Sequence, residues 1–325
     1  MTTSTSTALP AVRAAAETAV ARPAPSRRRS STPRLAPWLF VGPAVLLAFG
    51  LLLVPLLYTV WLSFRGTRVS GSGLGTRQEV FVGFDNYLAS IGNPELWAGF
   101  GRMLVYGVIS VPVTMILALV FALLLDNLST RFGRFSRIAI FIPYAVPGVI
   151  AALMWGFLYL PGVSPITAVF EAAGLSAPQF LGAEMIFGSV ANIAIWGSVG
   201  FNMVILYTSL RGLPSEIYDA ARIDGCSEVQ LALRIKLALI VPGVIMTGLF
   251  SIIGALQVFS EPNTLLTLTT TISSDWVPMM LIYRDAFVTN DLFAASATSV
   301  IVTLVTLAAS VGLLRFLQGR AFGED

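Results

Sequence analysis

Ser215-Glu216-Ile217-Tyr218-Asp219-Ala220-Ala221-Arg222-Ile223-Asp224-Gly225, continuing as Cys226-Ser227-Glu228-Val229-Gln230, is the only sustained polar run in the second half of the chain. It lies between two long apolar runs. Ser215 has the side chain of a helix cap, and Glu216 and Asp219 then fall in the first turn, where the helix dipole favours acids. Arg222 follows Asp219 by three and shares its face. Gly225 can take the left-handed conformation that ends a helix. Ser227 and Gln230 have capping-box spacing and open a second helix. The pattern predicts two short helices meeting at a glycine, with Ala220 and Ala221 as a flat patch open to close approach by a docking partner.

The flanking runs set the class. The chain of 325 residues is 56% hydrophobic and 11% charged, with a mean hydropathy of +0.81. A soluble domain carries about twice that charge share. Apolar runs of about 18 or more residues recur, which is the pattern of a polytopic membrane protein. The single cysteine excludes an internal disulfide and a cysteine-cluster metal site. The absence of histidine removes Ser-His and Cys-His catalysis and His-ligated zinc. No catalytic residue, no metal site and no enzyme activity is therefore expected. Of the 20 basic residues one, Lys236, is a lysine, and it stands in Ile-Lys-Leu rather than in a Gly-Lys-[Ser/Thr] loop, so this chain lacks that route to ATP. A net charge of +3 gives no support for a nucleic-acid partner. Four acids against three bases over 215–236 also argue against a phosphate-binding helix-turn-helix.

Residues 1–35 are rich in Ala, Ser, Thr, Pro and Arg and are expected to form a disordered tail. The apolar run behind them, about 38–64, is too long for the core of a cleaved signal and reads as an uncleaved first span. Further spans are expected over about 100–125, 138–160, 185–210, 237–260 and 292–316. Six spans place the amino tail, the loop holding Arg131, Arg134 and Arg137, the segment 211–236 and the tail 321–325 on one side. That side carries 15 of the 20 basic residues, which makes it cytoplasmic. The expected fold is all-α: one multi-pass membrane domain over 36–320, with both termini in the cytoplasm.

Asp219, Ala220, Ala221, Gly225, Ile235 and Leu237 resemble the "EAA" coupling motif of the membrane subunits of binding-protein-dependent ABC importers, with Asp in place of Glu. Cys226 and Ala238 depart from the usual Ala and Pro. Phe81-Val82-Gly83-Phe84-Asp85-Asn86-Tyr87 and Pro143-Tyr144-Ala145-Val146-Pro147-Gly148 resemble segments of the sugar-type permeases. The resemblance covers roughly 36–320 and is nearest to the maltose-type first permease, without its large external insert. It implies a plasma-membrane permease of the ABC type I importer fold, carrying a di- or oligosaccharide. It implies a coupling loop in which Glu216, Tyr218, Asp219, Ala220, Ala221, Asp224 and Gly225 meet a dimeric ATPase. ATP and magnesium belong to that partner, and this chain holds no cofactor. A second, homologous permease, an extracellular sugar-binding protein and membrane lipid complete the implied partners.

A translocation cavity calls for polar side chains stacked on one face of a span. At about 100° per residue, Ser189, Asn192, Trp196, Gly200, Met203 and Tyr207 share a face of the fourth span. Phe250, Gly254, Gln257 and Glu261 do so on the fifth. Ser296, Ser299, Thr303, Thr306 and Ser310 do so on the sixth. Sugar rings stack on aromatics and their hydroxyls seek amides, so Asn192, Trp196, Tyr207 and Gln257 are the candidate substrate contacts. Helix–helix packing is the competing account, above all for Gly200, Gly254 and the sixth-span hydroxyls. Glu261 is expected at the solvated external rim. The lack of a carboxylate near the midplane weighs against an ion-coupled carrier. A self-sufficient transporter or channel and a structural assembly subunit remain the rival readings.

Overall fold

The computed structural model describes residues 36–69, 77–127 and 130–321. The amino tail expected at 1–35 lies outside the described residues, as does 322–325 of the carboxyl tail. The chain divides into two compact units, residues 1–55 and 56–325. The first holds α1 (Ala36–Ala48), with Pro43 inside it, and a π-helical turn Phe49–Leu53. The second begins within α2 (Val54–Ser63).

Five stretches of the described residues are long and apolar enough to cross a membrane: Trp38–Ser63, Pro94–Asn127, Ile186–Arg211, Val241–Leu265 and Leu292–Arg315. A sixth forms only if the pair Phe132–Ala145 and Gly148–Tyr159, bent by 97°, counts as one span. The third span expected over 138–160 corresponds to this bent pair rather than to a single unbroken helix. The cause is local. The α5 helix (Thr130–Phe141) passes into a 3-10 turn, Ile142–Ala145, that contains Pro143. Val146, which precedes Pro147, is extended at φ −79° and ψ 126°, as the proline ring requires of its neighbour. Pro147 then caps α6 (Gly148–Tyr159), and the backbone restarts in a new direction.

After the first span, a hairpin pairs β1 (Arg65–Val69) with β2 (Arg77–Phe81), Gly66 opposite Val80. The motif around α3 (Asp85–Ile91) locks onto it. Asn86 Nδ2 donates to the carbonyls of Ser63 (2.9 Å) and Arg65 (2.7 Å), and the Tyr87 and Ser63 hydroxyls share a hydrogen bond. The α4 helix (Pro94–Asn127) and α8 (Ile186–Arg211) form the central pair. On α4 the buried positions Tyr106, Ser110, Thr114, Ala118 and Ala122 recur every four residues, while Leu104, Val108, Ile116 and Leu124 are exposed on the outer faces. That is membrane logic: lipid covers the large apolar side chains, and small residues let helices approach. Gly200 of α8 shows how close. A Cβ there would stand 2.2 Å from the Ile140 carbonyl oxygen and 2.7 Å from Phe141 Cα.

The remaining elements are α7 (Pro165–Ala172), α9 (Ser215–Ile223), α10 (Glu228–Gln230), a π-helical turn Leu231–Lys236, α11 (Leu237–Leu239), α12 (Val241–Leu256), α13 (Ser260–Leu265), α14 (Pro278–Tyr283) and α15 (Leu292–Ala321). The second unit has two apolar clusters. One gathers Leu96, Phe100 and Met103 with Ile186, Val190, Trp276 and Met280. The other gathers Ala118, Ala122 and Leu125 with Met203, Leu206, Leu210 and Ile240. Between them, at the middle of α4 and α8, the packing opens.

Candidate functional site

The segment 211–236 forms two helices joined by a turn, as its sequence predicts, with one change at the start. Pro214, extended at φ −60° and ψ 135°, occupies the cap position of α9, so Ser215 becomes the first helical residue and its side chain caps nothing. The end of α9 is a Schellman turn: Gly225 has φ +81°, its N–H donates to Arg222 O (3.1 Å), and Cys226 N–H donates to Ala221 O (3.0 Å). The second helix opens with the full Ser227/Gln230 capping box. Arg222 spans the turn, 3.5 Å from Asp219 and 3.0 Å from Glu228. The expected patch of two alanines is corrected. Neighbours in sequence point about 100° apart on a helix, so Ala221 is buried with Ile217 and Tyr218 partly covered beside it. Glu216, Asp219, Ala220 and Ile223 face outward. Ile223 is 86% exposed, and Val229 and Leu233 extend an apolar outer surface.

Behind this surface lies a cluster that the sequence reading did not single out. Lys236 Nζ donates to Asp126 Oδ2 at 2.6 Å and to Asn127 Oδ1 at 3.0 Å, and both members of the ion pair are 3% exposed. Asp126 and Asn127 end α4, where the dipole favours a cation rather than an acid. Lys236 supplies it. Its ammonium also lies 4.7 Å from the Tyr218 ring centroid, and the Tyr218 hydroxyl donates to Leu210 O at 3.2 Å. Burial, aided by the Asp126 carboxylate and opposed by Arg211, pushes the Tyr218 phenol above its usual range, so it stays a neutral donor. Through this node the back of α9, the end of α4 and the end of α8 meet. The signal available in the sequence was the lone lysine of an arginine-rich chain, placed where the fifth apolar run begins.

A cavity of about 470 Å³ occupies the gap between the two apolar clusters. Its size is that of a small-molecule site. Tyr106, Ser110 and Thr114 line it from α4, Tyr144 from the break, Ser198, Phe201 and Asn202 from α8, Phe250 and Ser251 from α12, and Glu261 from α13. Tyr144 and Phe201 stack at 4.7 Å. Asn202 donates to Ser198 O (3.1 Å) and accepts from the Ser251 hydroxyl (3.4 Å).

The fourth-span face read from sequence lies beside this cavity, whereas Phe250, Gly254 and Glu261 of the fifth-span face line it. Asn192 donates to the Tyr159 hydroxyl at 2.8 Å, Trp196 packs edge-on against Trp155, and Tyr207 lies 4.7 Å from the Arg137 guanidinium. Gln257 sits exposed at the end of α12. None of the four lines the cavity. The polar stripe of α8 is turned toward the broken span, whose bend was not foreseen, and its amide and rings satisfy partners there. On α15, Ser299 and Thr306 donate back to Ala295 O and Val302 O, which also leaves them outside the site. Glu261 moves the other way. Phe259, at φ −150° and ψ −55°, breaks the chain between α12 and α13, and the turn brings Glu261 into the cavity wall instead of the solvated rim.

A bundle of apolar helices, one of them broken, with a mid-bundle cavity and a capped polar loop defines a polytopic membrane protein built around a solute-sized space. Residues 115–322 match the family described as binding-protein-dependent transport system inner membrane component, and the chain belongs to that family. It is 28% identical over 291 residues to the probable ABC transporter permease protein YurN of Bacillus subtilis (strain 168), covering 88% of this chain and 97% of that protein. It is 23% identical over 290 residues to the sn-glycerol-3-phosphate transport system permease protein UgpA of Escherichia coli O157:H7, covering 88% and 95%. Its fold matches, at a TM-score of 0.75 and 18% identity, a chain in the crystal structure of a bacterial alginate ABC transporter in complex with an alginate pentasaccharide-bound periplasmic protein, covering 88% and 94%. These relatives are named as transport proteins.

Proposed function

We propose that the chain is one membrane subunit of an ABC importer for a carbohydrate, with the cavity as its share of the path and 211–236 as the element that a separate dimeric ATPase engages. The observation that carries this reading is the turn at Gly225. A Schellman turn and a capping box hold two short helices at a set angle beneath an outward surface of Glu216, Asp219, Ala220 and Ile223. An inert loop has no need of such definition. Tyr218 and Ala221 act from behind as positioning residues, Asp224 and Gly225 form the turn, and the Lys236 node carries displacement of α9 into the ends of α4 and α8.

The membrane domain runs over 36–320, with both termini cytoplasmic. A second, homologous permease completes the path, and ATP with magnesium binds to the ATPase alone. An external binding protein delivers cargo, in keeping with the periplasmic protein in the alginate complex. That complex supports an oligosaccharide, whereas the cargo named for UgpA is a small polyol phosphate. In the cavity, Tyr144, Phe201 and Phe250 offer ring faces to the apolar side of a sugar, while Ser198, Asn202 and Ser251 offer hydroxyl and amide partners. Asn192, Trp196 and Tyr207 support the broken span beside it. The test is co-purification with an ATPase subunit, followed by ATPase measurement with and without sugar-loaded binding protein. Sugar-stimulated hydrolysis is the expected result. Transport by the purified chain alone in liposomes would establish the rival reading of a self-sufficient carrier.

A further inference from the structure

We infer that the cavity admits uncharged or cationic polyhydroxylated cargo and excludes anions, with Glu261 as the excluding group. The inference rests on the reading of the cavity as this chain's part of the import path. Among the described residues that line it there is no Arg or Lys, and Glu261 is the single carboxylic acid. No described cation forms an ion pair with Glu261, and four cations of the same bundle are committed elsewhere. Arg102 donates to Trp276 O and pairs with Glu95, Arg137 covers Tyr207, and Arg284 pairs with Asp275 and Asp285. Lys236 is held by Asp126.

The physical consequence is one-sided. A phosphate, sulfonate or carboxylate entering this space leaves its hydration shell and meets no countercharge, which is costly for any ion in a low-dielectric site. Whenever Glu261 is ionised, it adds a charge of like sign. A neutral polyol exchanges water for the hydroxyls and the Asn202 amide, and a cation gains both Glu261 and the aromatic faces of Tyr144 and Phe201. Discrimination therefore comes from what the wall withholds as much as from what it offers. The sn-glycerol-3-phosphate named for UgpA and the acidic polysaccharide alginate named for the structural relative both lie in the class this wall disfavours.

The potential of the cavity can be read without its cargo. In membranes carrying the complete transporter, Ser198→Cys in a Cys226→Ala background places one thiol in the wall. Its reaction rates with 2-(trimethylammonium)ethyl and 2-sulfonatoethyl methanethiosulfonate are measured at pH 8, each divided by the rate with free 2-mercaptoethanol. The normalised rate of the cationic reagent should exceed that of the anionic one by about tenfold or more, and Glu261→Gln should remove most of that ratio while Glu261→Asp keeps it. A wild-type ratio of one or below, a ratio indifferent to Glu261→Gln, or a thiol that neither reagent reaches overturns the inference. Uptake of maltose against glucose 6-phosphate by the same transporter gives the second arm. Import of glucose 6-phosphate at the rate of maltose also overturns it. Import of no carbohydrate at all sinks the import reading instead, and the labelling ratio still decides the charge of the cavity.

Discussion

Helix α4 passes two buried polar regions that are built on opposite terms. At its end, Asp126 and Lys236 face each other at 2.6 Å, both 3% exposed, with Asn127 and the Tyr218 ring completing the shell of the ammonium. At its middle, Tyr106, Ser110 and Thr114 border a space in which Glu261 has no ion-pair partner among the described residues. Buried charge costs free energy unless it is answered. In the first region the protein supplies every answer itself, and the cluster is a joint. In the second no described side chain supplies a countercharge. The difference gives a working criterion for this chain: substitutions in the node should act on stability and geometry, and substitutions in the cavity on selectivity.

The largest expected effect is in the node. Lys236→Ala leaves the Asp126 carboxylate buried beside a helix C-terminus with no cation, a loss of about 3–5 kcal/mol by analogy with other broken buried pairs. The double variant Asp126→Leu with Lys236→Leu removes both charges and should recover most of the stability, because well-packed apolar groups often replace such pairs without loss. Thermal unfolding of the three membrane-extracted proteins checks this. Equal Tm values for Lys236→Ala and the parent chain would mean that the node is no joint and would break the comparison at its first term.

Next in size is Gly200, where the cavity wall meets the broken span. Because a Cβ would strike the Ile140 carbonyl and the Phe141 backbone rather than a flexible side chain, α8 must shift away from α5. Overpacking of this kind costs about 1–3 kcal/mol. Gly200→Val should lower Tm and also disturb the Phe201–Tyr144 stack, changing reagent access to Ser198→Cys. A variant that lost stability but kept cavity labelling unchanged would separate the wall from the bend.

How much of this was legible in the sequence follows from range. Elements set by local chemistry were readable: the capping box at Ser227, the left-handed residue at Gly225, the apolar runs, and the Asn86-Tyr87 motif whose hydrogen bonds close on Ser63 and Arg65. The local structure of the loop was legible, and in the membrane the fifth-span face of Phe250, Gly254 and Glu261 was found while the α8 face was not. A stripe on α8 says which residues share a face, but not what that face meets. Pro143 and Pro147 were visible, yet the size of the bend between them was not, and that bend turns Asn192 and Trp196 toward a neighbour and Phe201 and Asn202 toward the cavity. Lys236 and Asp126 are 110 residues apart, so the lone lysine was visible but its partner was not. Glu261 was misplaced because Pro262, the break signal beside it, was not read as ending the fifth apolar helix.

The turn at Gly225 separates stability from function more sharply. A β-branched residue at φ +81° carries a backbone cost of roughly 1–2 kcal/mol, and nothing crowds the position otherwise. Gly225→Val should therefore insert and fold, yet misdirect α9 against its partner, with uptake and ATPase pull-down both reduced. Gly225→Asn should be milder, since Asn enters the left-handed region more readily. Wild-type pull-down for Gly225→Val would reject 211–236 as the docking element.

The smallest effect belongs to Arg222, which makes two ion pairs and should contribute almost nothing to stability. Its side chain is half exposed, and Asp219 and Glu228 are more exposed still. Water and salt screen such pairs, and holding three long side chains costs entropy that offsets the attraction. Meanwhile the angle between α9 and α10 is already set by the Gly225 and Cys226 backbone hydrogen bonds and by the Ser227 box. Arg222→Ala should leave Tm unchanged at low and high salt alike, with pull-down of the ATPase close to that of the parent chain. If Arg222→Ala instead abolished uptake as fully as Gly225→Val, the exposed charges rather than the turn would be orienting the segment. The distinction between answered buried charge and screened surface charge would then fail on the surface where it should be easiest to see.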